Sequence, residues 1–299
     1  MSWTTADIPD QTGRRAVVTG SNAGLGLEIA AELAAHGAAV VLACRNPEKA
    51  TAAAATIRGR TPGAEIEVRA LDLADLDSVA AFADGFDSRL DLLVNNAGLM
   101  AVDESRTAQG FETQFGVNHL GHFALTARLL PHLLATPGSR VGSMSSMGHR
   151  GARGSADPKL ERSYDRSQSY FHSKLANLLF TAELQRRLAV ADADTIAVAA
   201  HPGGSNTDLG TEGSALTNWL ARRLVPYIAQ SPALGARPML RALTDPAVRG
   251  GEHYGPRFVY RGATPVLETP SRAARDAEAA RRLWDLSEEM TGLTPAFTR

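Results

Sequence analysis

Short apolar runs rich in β-branched residues alternate along the chain with longer stretches rich in alanine and leucine. This alternation is typical of a parallel sheet covered by helices. We predict strands at about Arg14–Gly20, Ala39–Cys44, Glu65–Ala70, Leu90–Asn95, Arg140–Ser145, Thr195–His201 and Phe258–Tyr260. We predict helices near Leu25–His36, Pro47–Arg58, Asp75–Phe86, Gly110–Leu134, Ser167–Val190, Ser214–Ile228, Pro232–Thr244 and Ser271–Met290.

No charge run, internal repeat or linker rich in serine and glycine divides the sequence. We therefore predict that residues 1–299 form a single α/β domain, in which a doubly wound parallel sheet of about seven strands carries helices on both faces. Two segments depart from the alternation. Gly148–Gln168 is polar and is predicted to be a surface insertion. Residues 203–230 follow the sixth strand with bulky apolar side chains, so they are placed either to cover a ligand or to pack on the core.

Composition and charge narrow the classes of protein. The 299 residues carry 31 Lys and Arg against 32 Asp and Glu, and 44% are apolar, which excludes disordered and fibrous proteins. A net charge of −1 argues against nucleic-acid or membrane-surface partners, since phosphate binding needs a basic footprint. Neither a signal peptide nor an apolar run of about 18–20 residues is visible. The one cysteine, Cys44, excludes an intrachain disulfide and a multi-cysteine metal site, so we expect a cytoplasmic protein without a metal.

The turn between the first strand and the first helix is rich in glycine, with the sequence Thr19-Gly20-Ser21-Asn22-Ala23-Gly24-Leu25-Gly26. Glycines allow a tight turn and let backbone N–H groups approach a pyrophosphate at the positive end of the helix. The spacing differs from the usual dinucleotide fingerprint GxGxxG, because Ile29 stands at the third position. A plain strand–helix connection is the alternative interpretation.

Polar residues at the ends of the next strands extend this candidate site. The acid that would bond the ribose 2′-hydroxyl of NAD is missing after strand two, where Arg45 could bind the 2′-phosphate of NADP or remain solvated. Asp72, which precedes Leu73 after strand three, could bond adenine or cap a helix. Asn95-Asn96-Ala97-Gly98 ends strand four, where the amides could tie neighbouring backbones together close to a ligand.

Candidate catalytic groups lie on the two long helices. Tyr170 and Lys174 are one helical turn apart, so their side chains share a face. Lowering the pKa of a phenol by about three units takes roughly 4 kcal/mol, which a nearby ammonium and a cationic nicotinamide could supply. Asn118 interrupts an apolar stripe, either as a satisfied core amide or as the holder of a water chain to the lysine. We interpret His122, on the same stripe, as structural.

Two further strand ends carry groups suited to polar ligand atoms. Ser145 and Ser146 end strand five, where a hydroxyl could bond a substrate carbonyl. His201-Pro202-Gly203 ends strand six and is followed by Thr207. A turn fixed by proline could present backbone groups and the threonine hydroxyl to a carboxamide.

The ordered set of these segments resembles the short-chain dehydrogenase/reductase family over nearly the whole chain. The resemblance rests on Thr19-Gly20-xxx-Gly24-x-Gly26, Asn95-Asn96-Ala97-Gly98, Asn118, Ser146, Tyr170-xxx-Lys174 and Pro202-Gly203. Three further segments resemble the retinol dehydrogenase-like branch of the family, including its bacterial members. These are Asn118-His119-Leu120-Gly121-His122-Phe123, the segment from Ser173 to Thr181, and Leu283-Trp284-xx-Ser287-Glu288.

The resemblance implies a Rossmann-type fold and a catalytic tetrad. Asn118 would order water, Ser146 would hold the carbonyl, and Tyr170 would be the acid–base. Lys174 would lower the pKa of the tyrosine and bond the nicotinamide ribose. Ser146 and Tyr170 can meet only if residues 148–168 loop out. The implied cofactor contacts are Gly20, Ser21, Asn22, Gly24, Leu25, Gly26, Arg45, Asp72, Leu73, Asn95, Ala97, Gly98, Tyr170, Lys174, Pro202, Gly203 and Thr207.

We therefore predict an oxidoreductase that uses NADP, with NADPH preferred over NADH, to transfer a hydride to or from a carbonyl or alcohol carbon. Met100, Met147 and His149 are expected to face the substrate together with the covering segment, and their character indicates a small apolar substrate. An NADPH-binding regulator and a non-redox member resembling an epimerase or dehydratase are the alternatives. The two long helices could pair subunits in a homodimer or homotetramer.

Overall fold

One sheet of eight strands runs through the part of the chain that the computed structural model describes, residues 2–87, 89–203, 230–259 and 262–297. The strands are β1 (Arg15–Thr19), β2 (Ala39–Cys44), β3 (Ile66–Ala70), β4 (Leu92–Asn95), β5 (Arg140–Met144), β6 (Ile196–Ala200), β7 (His253–Pro256) and β8 (Pro265–Leu267). Their order is β3-β2-β1-β4-β5-β6-β7-β8. Every neighbouring pair is parallel except β7 and β8. The predicted doubly wound parallel sheet is confirmed.

Helices cover both faces of this sheet. They are α1 (Gly24–Ala35), α2 (Pro47–Arg60), α3 (Leu76–Asp84), α4 (Thr113–Phe115), α5 (Gly121–Leu134), α6 (Arg166–Val190), α7 (Pro232–Thr244) and α8 (Ala277–Thr291). Successive residues of a strand point to opposite faces, so each strand contributes to two cores. Val18 of β1 joins the core under α1, α2 and α7, whereas Val17 joins the core under α3, α5, α6 and α8.

Side-chain caps fix where several helices begin. The Asn46 side chain accepts a hydrogen bond from Lys49 N, and the Asp165 side chain accepts from Ser167 N and Gln168 N at the start of α6. The helix predicted to begin at Gly110 begins at Thr113, because the Glu112 carboxylate accepts from the second and third N–H groups of α4. A turn of π-helix, Gly116–Leu120, separates α4 from α5.

The end of the sheet differs from the predicted one. The strand predicted at Phe258–Tyr260 is wrong, because Phe258 lies in an exposed turn and Val259 has a φ of 65°, outside the β region. The chain instead forms β7 just before that turn and pairs it antiparallel with β8 just after it. Tyr260 lies outside the described residues. The helix predicted near Ser271 begins only at Ala277, where the Asp276 side chain caps its first turn.

Some predictions concern residues outside the described ranges. These are the helix at Ser214–Ile228, the cofactor contact at Thr207 and nearly all of the covering segment at 203–230. Within the ranges that the structure covers, no helix is long and apolar enough to cross a membrane.

Candidate active site

A cleft of about 500 Å³ opens beyond the carboxyl ends of the strands from β3 to β6. It lies where the strand order reverses between β1 and β4, the place at which open parallel sheets bind ligands. The residues that line it are Gly20, Asn22, Ala23, Gly24, Leu25, Gly26, Ala43, Arg45, Asn46, Lys49, Leu71, Asp72, Leu73, Asn96, Ala97, Gly98, Leu99, Met100, Val117, Met144, Ser145, Ser146, Tyr170, Lys174, Pro202 and Gly203.

The glycine turn leaves the start of α1 open toward the cleft. Ala23 precedes the helix and offers no side-chain cap, so the first N–H groups of α1 are available to an anion. Gly20 has a φ of 64°, and a Cβ atom there would lie 2.9 Å from the Ala97 Cα. Only glycine fits, and this turn fits the diphosphate of a dinucleotide. Ser21, in contrast, is buried behind the turn, where its hydroxyl donates to Val18 O.

Thr19 joins the end of β1 to the turn after β4. Its Oγ1 accepts from the backbone N–H groups of Asn96 and Ala97 at 3.0 Å each, and Asn96 Nδ2 donates back to Thr19 O at 2.9 Å. These bonds hold Asn96 and Ala97 against the cleft, as the sequence of consecutive asparagines suggested. Asn95 was expected to contact the cofactor, but its side chain is buried and donates to Thr126 Oγ1. The structure therefore does not bring Asn95 into the cleft.

Two basic side chains lie at the end of the cleft beyond β2. Arg45 is exposed. Lys49 lies four residues later, in the first turn of α2, and the N-cap of that helix is Asn46. Lys49 belongs to no motif in the sequence, and its place at the start of the second helix is the signal that could have marked it. Asp72 also lines the cleft, where one carboxylate oxygen accepts from Ala74 N at 2.9 Å. One carboxylate oxygen of Asp72 therefore stabilises the turn after β3.

Tyr170 and Lys174 lie one turn apart on α6, and both side chains reach the cleft although they are buried. The Lys174 Nζ lies 5.8 Å from the centroid of the Tyr170 ring and donates to Met144 O at 3.2 Å. Gly98 makes room for this ammonium, because a Cβ atom at Gly98 would lie 3.1 Å from the Lys174 Nζ. The predicted pairing of these two side chains on one helix face is present in the structure.

Burial is the largest influence on the pKa of both Tyr170 and Lys174. It lowers the pKa of Lys174 to about 8, and it raises the pKa of Tyr170 above its ordinary value. A hydrogen bond with Ser146 opposes the rise at Tyr170. The sequence predicts that Lys174 lowers the pKa of the tyrosine, whereas desolvation of the buried phenol raises it in this structure. The phenol therefore depends on Ser146 and on any positive charge added to the cleft.

The two serines after β5 have different partners. Ser146 lines the cleft with Tyr170 and favours a lower pKa of its phenol, and the Ser146 Oγ accepts from Gly148 N at 3.1 Å. Ser145 is buried, and its Oγ donates to Lys174 O at 2.9 Å. The Ser146 hydroxyl thus lies beside the phenol, whereas Ser145 ties β5 to α6.

Asn118 lies behind the residues that line the cleft, inside the π-helical turn. Its Oδ1 accepts from Leu99 N at 2.7 Å, and its Nδ2 donates to Leu99 O and to Ser173 Oγ at 2.9 Å each. The sequence left two roles open for Asn118, a satisfied core amide or the holder of a water chain to Lys174. Protein groups engage both polar atoms of the side chain, which fixes the turn after β4 to α6, and a role in ordering water stays a prediction.

His122 links the same turn to β1. Its Nδ1 lies 3.0 Å from Asn118 O and therefore donates, so its Nε2 accepts from Thr19 Oγ1 at 2.8 Å. Burial lowers the pKa of His122 to about 4, which keeps the ring neutral. The structural role expected of His122 thus has a definite form: it connects Asn118 to the end of the first strand.

Residues 148–168 leave the main fold, so Ser146 and Tyr170 can meet. A short 3₁₀-helix, Met147–Gly151, follows Ser146, and an irregular segment runs from there to the Asp165 cap of α6. Met100 lines the cleft as expected for a residue that faces the substrate, and Met147 is absent from that lining. His149 does not face the cleft either: it is buried, and its Nδ1 donates to Ser146 O at 2.7 Å.

The chain is similar to known proteins over almost its full length. A family model described as short chain dehydrogenase matches residues 14–216. Retinol dehydrogenase 11 of Mus musculus is 41% identical over 287 residues, which are 94% of this chain and 87% of that protein. Retinol dehydrogenase 13 of Homo sapiens is 39% identical over 305 residues, 98% of this chain and 88% of that protein.

Solved structures agree with this similarity. The crystal structure of an uncharacterized protein from Mycobacterium Paratuberculosis has a TM-score of 0.83 and 43% identity, and it covers 99% of this chain and 100% of that chain. A short chain dehydrogenase from Shigella flexneri, solved in complex with NADP, has a TM-score of 0.65 and 24% identity, with 82% of this chain and 98% of that chain covered. The second likeness shows the shared fold.

The sheet and its cleft are those of the doubly wound fold that binds dinucleotides, and together with the family match they place the chain among the oxidoreductases. The chain belongs to the short chain dehydrogenase family, in its retinol dehydrogenase-like branch. Enzymes of this family need a nicotinamide cofactor and act on small alcohol or carbonyl substrates. Among the residues that the structure describes, no group of three or more His, Cys, Asp or Glu side chains could hold a metal ion.

Proposed function

We propose that the protein is an NADP(H)-dependent oxidoreductase that interconverts a carbonyl and an alcohol on a small apolar substrate, with Tyr170 as the acid–base. The observation that carries this proposal is that Ser146, Tyr170 and Lys174 line the same cleft, with the Lys174 ammonium 5.8 Å from the centroid of the Tyr170 ring. All three side chains line one cleft with the open start of α1. A proton-transfer group and a diphosphate cradle therefore share one cavity.

The cofactor would lie along the cleft from α1 to α6. The residues proposed to hold it are those of the glycine turn, the basic pair after β2, Asp72 and Leu73, Ala97 and Gly98, and the turn at Pro202 and Gly203. When bound there, a nicotinamide supplies or accepts the hydride. We retain Thr207 from the sequence resemblance as a proposed contact.

NADP rather than NAD is favoured by the charges beyond β2. Arg45 and Lys49 both line that end of the cleft, where an NAD-specific site usually places a carboxylate. A guanidinium can fork onto a phosphate through two hydrogen bonds, and an ammonium adds a second positive charge. The Shigella flexneri protein of the same fold binds NADP.

The chain's own residues would move one proton. With a carbonyl substrate, Ser146 Oγ would bond the substrate oxygen and the Tyr170 phenol would give that oxygen its proton. Lys174 would assist Ser146 in stabilising the phenolate that results against the opposing effect of burial, because its ammonium lies 5.8 Å from the ring centroid in a buried site where water screens it poorly. In the alcohol-to-carbonyl direction, the phenolate would take the proton back.

An apolar substrate is favoured by the walls next to these groups. Leu99, Met100, Val117 and Met144 line the cleft together with Tyr170. Burial of such side chains against a ligand is worth about 25 cal/mol per Å² of apolar area. The curated relatives are named retinol dehydrogenases, and retinol is an apolar alcohol.

A reductase screen tests the proposal. Purified protein with NADPH would be given a panel of apolar aldehydes and ketones beside small charged carbonyls, and the loss of reduced cofactor would be followed by absorbance. We expect turnover on apolar members, with Tyr170→Phe lowering kcat by about 100-fold or more while NADPH still binds. Tyr254→Phe, which removes a phenol outside the cleft, is the matched control.

Three outcomes would contradict it. Reduction of charged carbonyls alone would remove the apolar substrate. Equal slow turnover by the wild type and Tyr170→Phe would favour an NADPH-binding regulator. Deuterium carried by labelled NADPH should appear in the product, and its retention on the cofactor would favour a non-redox reaction.

A further inference from the structure

A buried polar group lies behind the Pro202–Gly203 turn and takes no part in the proposed proton transfer. It comprises His149, His201 and His253, which are almost fully buried, and Glu268, which follows β8. The His201 and His253 rings lie 5.3 Å apart between centroids. Buried titratable side chains are costly unless they have hydrogen-bond partners, so this group beside the cleft needs a physical explanation.

The hydrogen bonds of His201 assign its proton. Gly203 N donates to His201 Nδ1 at 3.1 Å, so Nδ1 carries no hydrogen. The proton is therefore on Nε2, which donates to Glu268 Oε2 at 3.1 Å. Arg150 lies 4.0 Å from the same carboxylate oxygen and complements its charge. Glu268 thus selects the form of His201 that can accept from Gly203.

Gly255 keeps this contact possible. A Cβ atom at that position would collide with both His201 Nε2 and Glu268 Oε1. A glycine in the short strand β7 is unfavourable for the strand itself, since it offers no side chain to pack. Its position is explained by the close approach of the histidine and the carboxylate.

The turn that His201 holds is part of the cleft. Pro202 and Gly203 both line the cleft, and Gly203 has a φ of 68°, a conformation that other residues adopt only with strain. A second side chain, Gln230, donates from Nε2 to Pro202 O at 2.6 Å. His201 fixes the N–H side of the turn, and Gln230 fixes its carbonyl side.

We propose that His201 is a positioning residue for the cofactor. Its Nδ1 holds the Gly203 N–H, which sets the Pro202–Gly203 turn in the conformation that receives the nicotinamide end of the dinucleotide, and Glu268 maintains the tautomer that makes this possible. The proposal rests on the proposed NADP(H) function. It assigns to the histidine before the proline a role that touches neither substrate nor cofactor.

Two substitutions at His201 separate its two contacts. In His201→Asn the amide oxygen can take the place of Nδ1 and accept from Gly203, but the contact with Glu268 is lost. In His201→Gln the longer amide reaches toward Glu268 and leaves the Gly203 N–H without an acceptor. Both replace an imidazole by an amide, so they are matched in chemistry and each loses one hydrogen bond.

The readout is the Kd for NADPH, measured by titration of cofactor fluorescence, beside the melting temperature of each variant without cofactor. We expect His201→Asn to bind NADPH within about threefold of the wild type and His201→Gln to bind it at least about tenfold more weakly, a difference of about 1.4 kcal/mol for each tenfold. Equal affinities in the two variants, or weaker binding by His201→Asn, would overturn the proposal. An affinity loss that simply follows the loss of melting temperature would also overturn it.

Glu268 provides a second pair should a His201 variant not fold. Glu268→Gln retains an oxygen that can accept from Nε2, whereas Glu268→Leu leaves Nε2–H buried without a partner and favours the tautomer with its proton on Nδ1. We expect only Glu268→Leu to weaken NADPH binding about tenfold. Equal binding by both overturns the positioning role. A wild type that does not bind NADPH at all would instead refute the proposed function.

Discussion

The Lys174 ammonium lies 5.8 Å from the centroid of the Tyr170 ring, and both side chains are buried on one face of α6. The ammonium donates to Met144 O, and no ion pair found among the described residues includes it. A buried charge without a carboxylate is costly, which agrees with the lowered pKa of Lys174. The buried ammonium therefore lowers the stability of the fold, as expected of a group that is kept for the proposed proton transfer.

Replacing Lys174 by methionine should raise stability while it removes activity. Lys174→Met keeps the side-chain length and removes the buried charge, so we expect the free energy of unfolding at pH 7 to increase by about 3 kcal/mol, which corresponds to the pKa of about 8 instead of 10.5. We expect kcat for a carbonyl substrate to fall by about 100-fold or more. Urea unfolding without cofactor and a steady-state assay measure the two effects.

The gain in stability has a defined pH dependence. The pKa of Lys174 is about 8 in the folded chain against an ordinary value of 10.5, so the unfolded chain binds the proton more tightly. The destabilisation caused by the buried Lys174 charge has its full value below pH 8 and disappears as the pH rises to 10.5. The stability difference between Lys174→Met and the wild type should therefore shrink over that range. Lys159→Met, at an exposed lysine, should show no gain, and a similar gain there would contradict the argument.

Arg45 should decide between the two nicotinamide dinucleotides. Arg45→Asp places a carboxylate where an NAD site has one and opposes the 2′-phosphate of NADPH. We expect the Kd for NADPH to rise by about tenfold to 100-fold, because a charge-assisted hydrogen bond is worth about 1.5–3 kcal/mol, while the Kd for NADH falls. Arg281→Asp makes the same charge change on the exposed side of α8 and is the control. An unchanged preference in Arg45→Asp would remove this residue from the role.

Most of the sheet could be predicted from sequence because its signals are local. An apolar run such as the one in β1, or a cap such as Asp165, acts through neighbouring residues. The strand β7 has the sequence His-Tyr-Gly-Pro, without a β-branched residue, and it forms through pairing with β6 and β8. Pairing partners far away in sequence leave no local pattern, so this strand was missed.

The candidate site was predictable where the family resemblance names a residue and less so where a side chain's direction decides. Asn95 and Asn96 are neighbours at the end of β4, and only Asn96 lines the cleft, because successive side chains point to opposite faces. Lys49 lines the cleft although no motif marked it. The single domain, the cytoplasmic location, the oligomeric state and the covering segment at 203–230 stay predictions.

A buried histidine outside the cleft should make the protein sensitive to acid. His119 is enclosed by the rings of Phe115, Phe123 and Phe180, and its Nε2 donates to Ser287 Oγ at 2.8 Å. Burial, with a smaller contribution from the charge of His122, lowers the pKa of His119 from 6.5 to about 3. Between pH 6.5 and pH 3, the His119 ring is therefore protonated in the unfolded chain and neutral in the folded chain. Above pH 6.5 the neutral His119 ring does not lower the stability of the folded protein. As the pH falls from 6.5 toward 3, the unfolded chain is protonated at His119 and the free energy of unfolding decreases.

His119→Gln should reduce this sensitivity. The glutamine amide can still donate to Ser287 but does not titrate. The free energy of unfolding of His119→Gln should therefore fall less steeply between pH 6.5 and pH 5 than that of the wild type. Well below pH 6.5, the two slopes should differ by about 1.4 kcal/mol per pH unit. Urea unfolding across this range measures the slope. Measurements at pH 8 provide the control, because there neither chain binds the proton and the slopes should coincide. Equal slopes at acid pH would mean that His119 is protonated in the folded protein as readily as in the unfolded one, and that the aromatic enclosure does not exclude its charge.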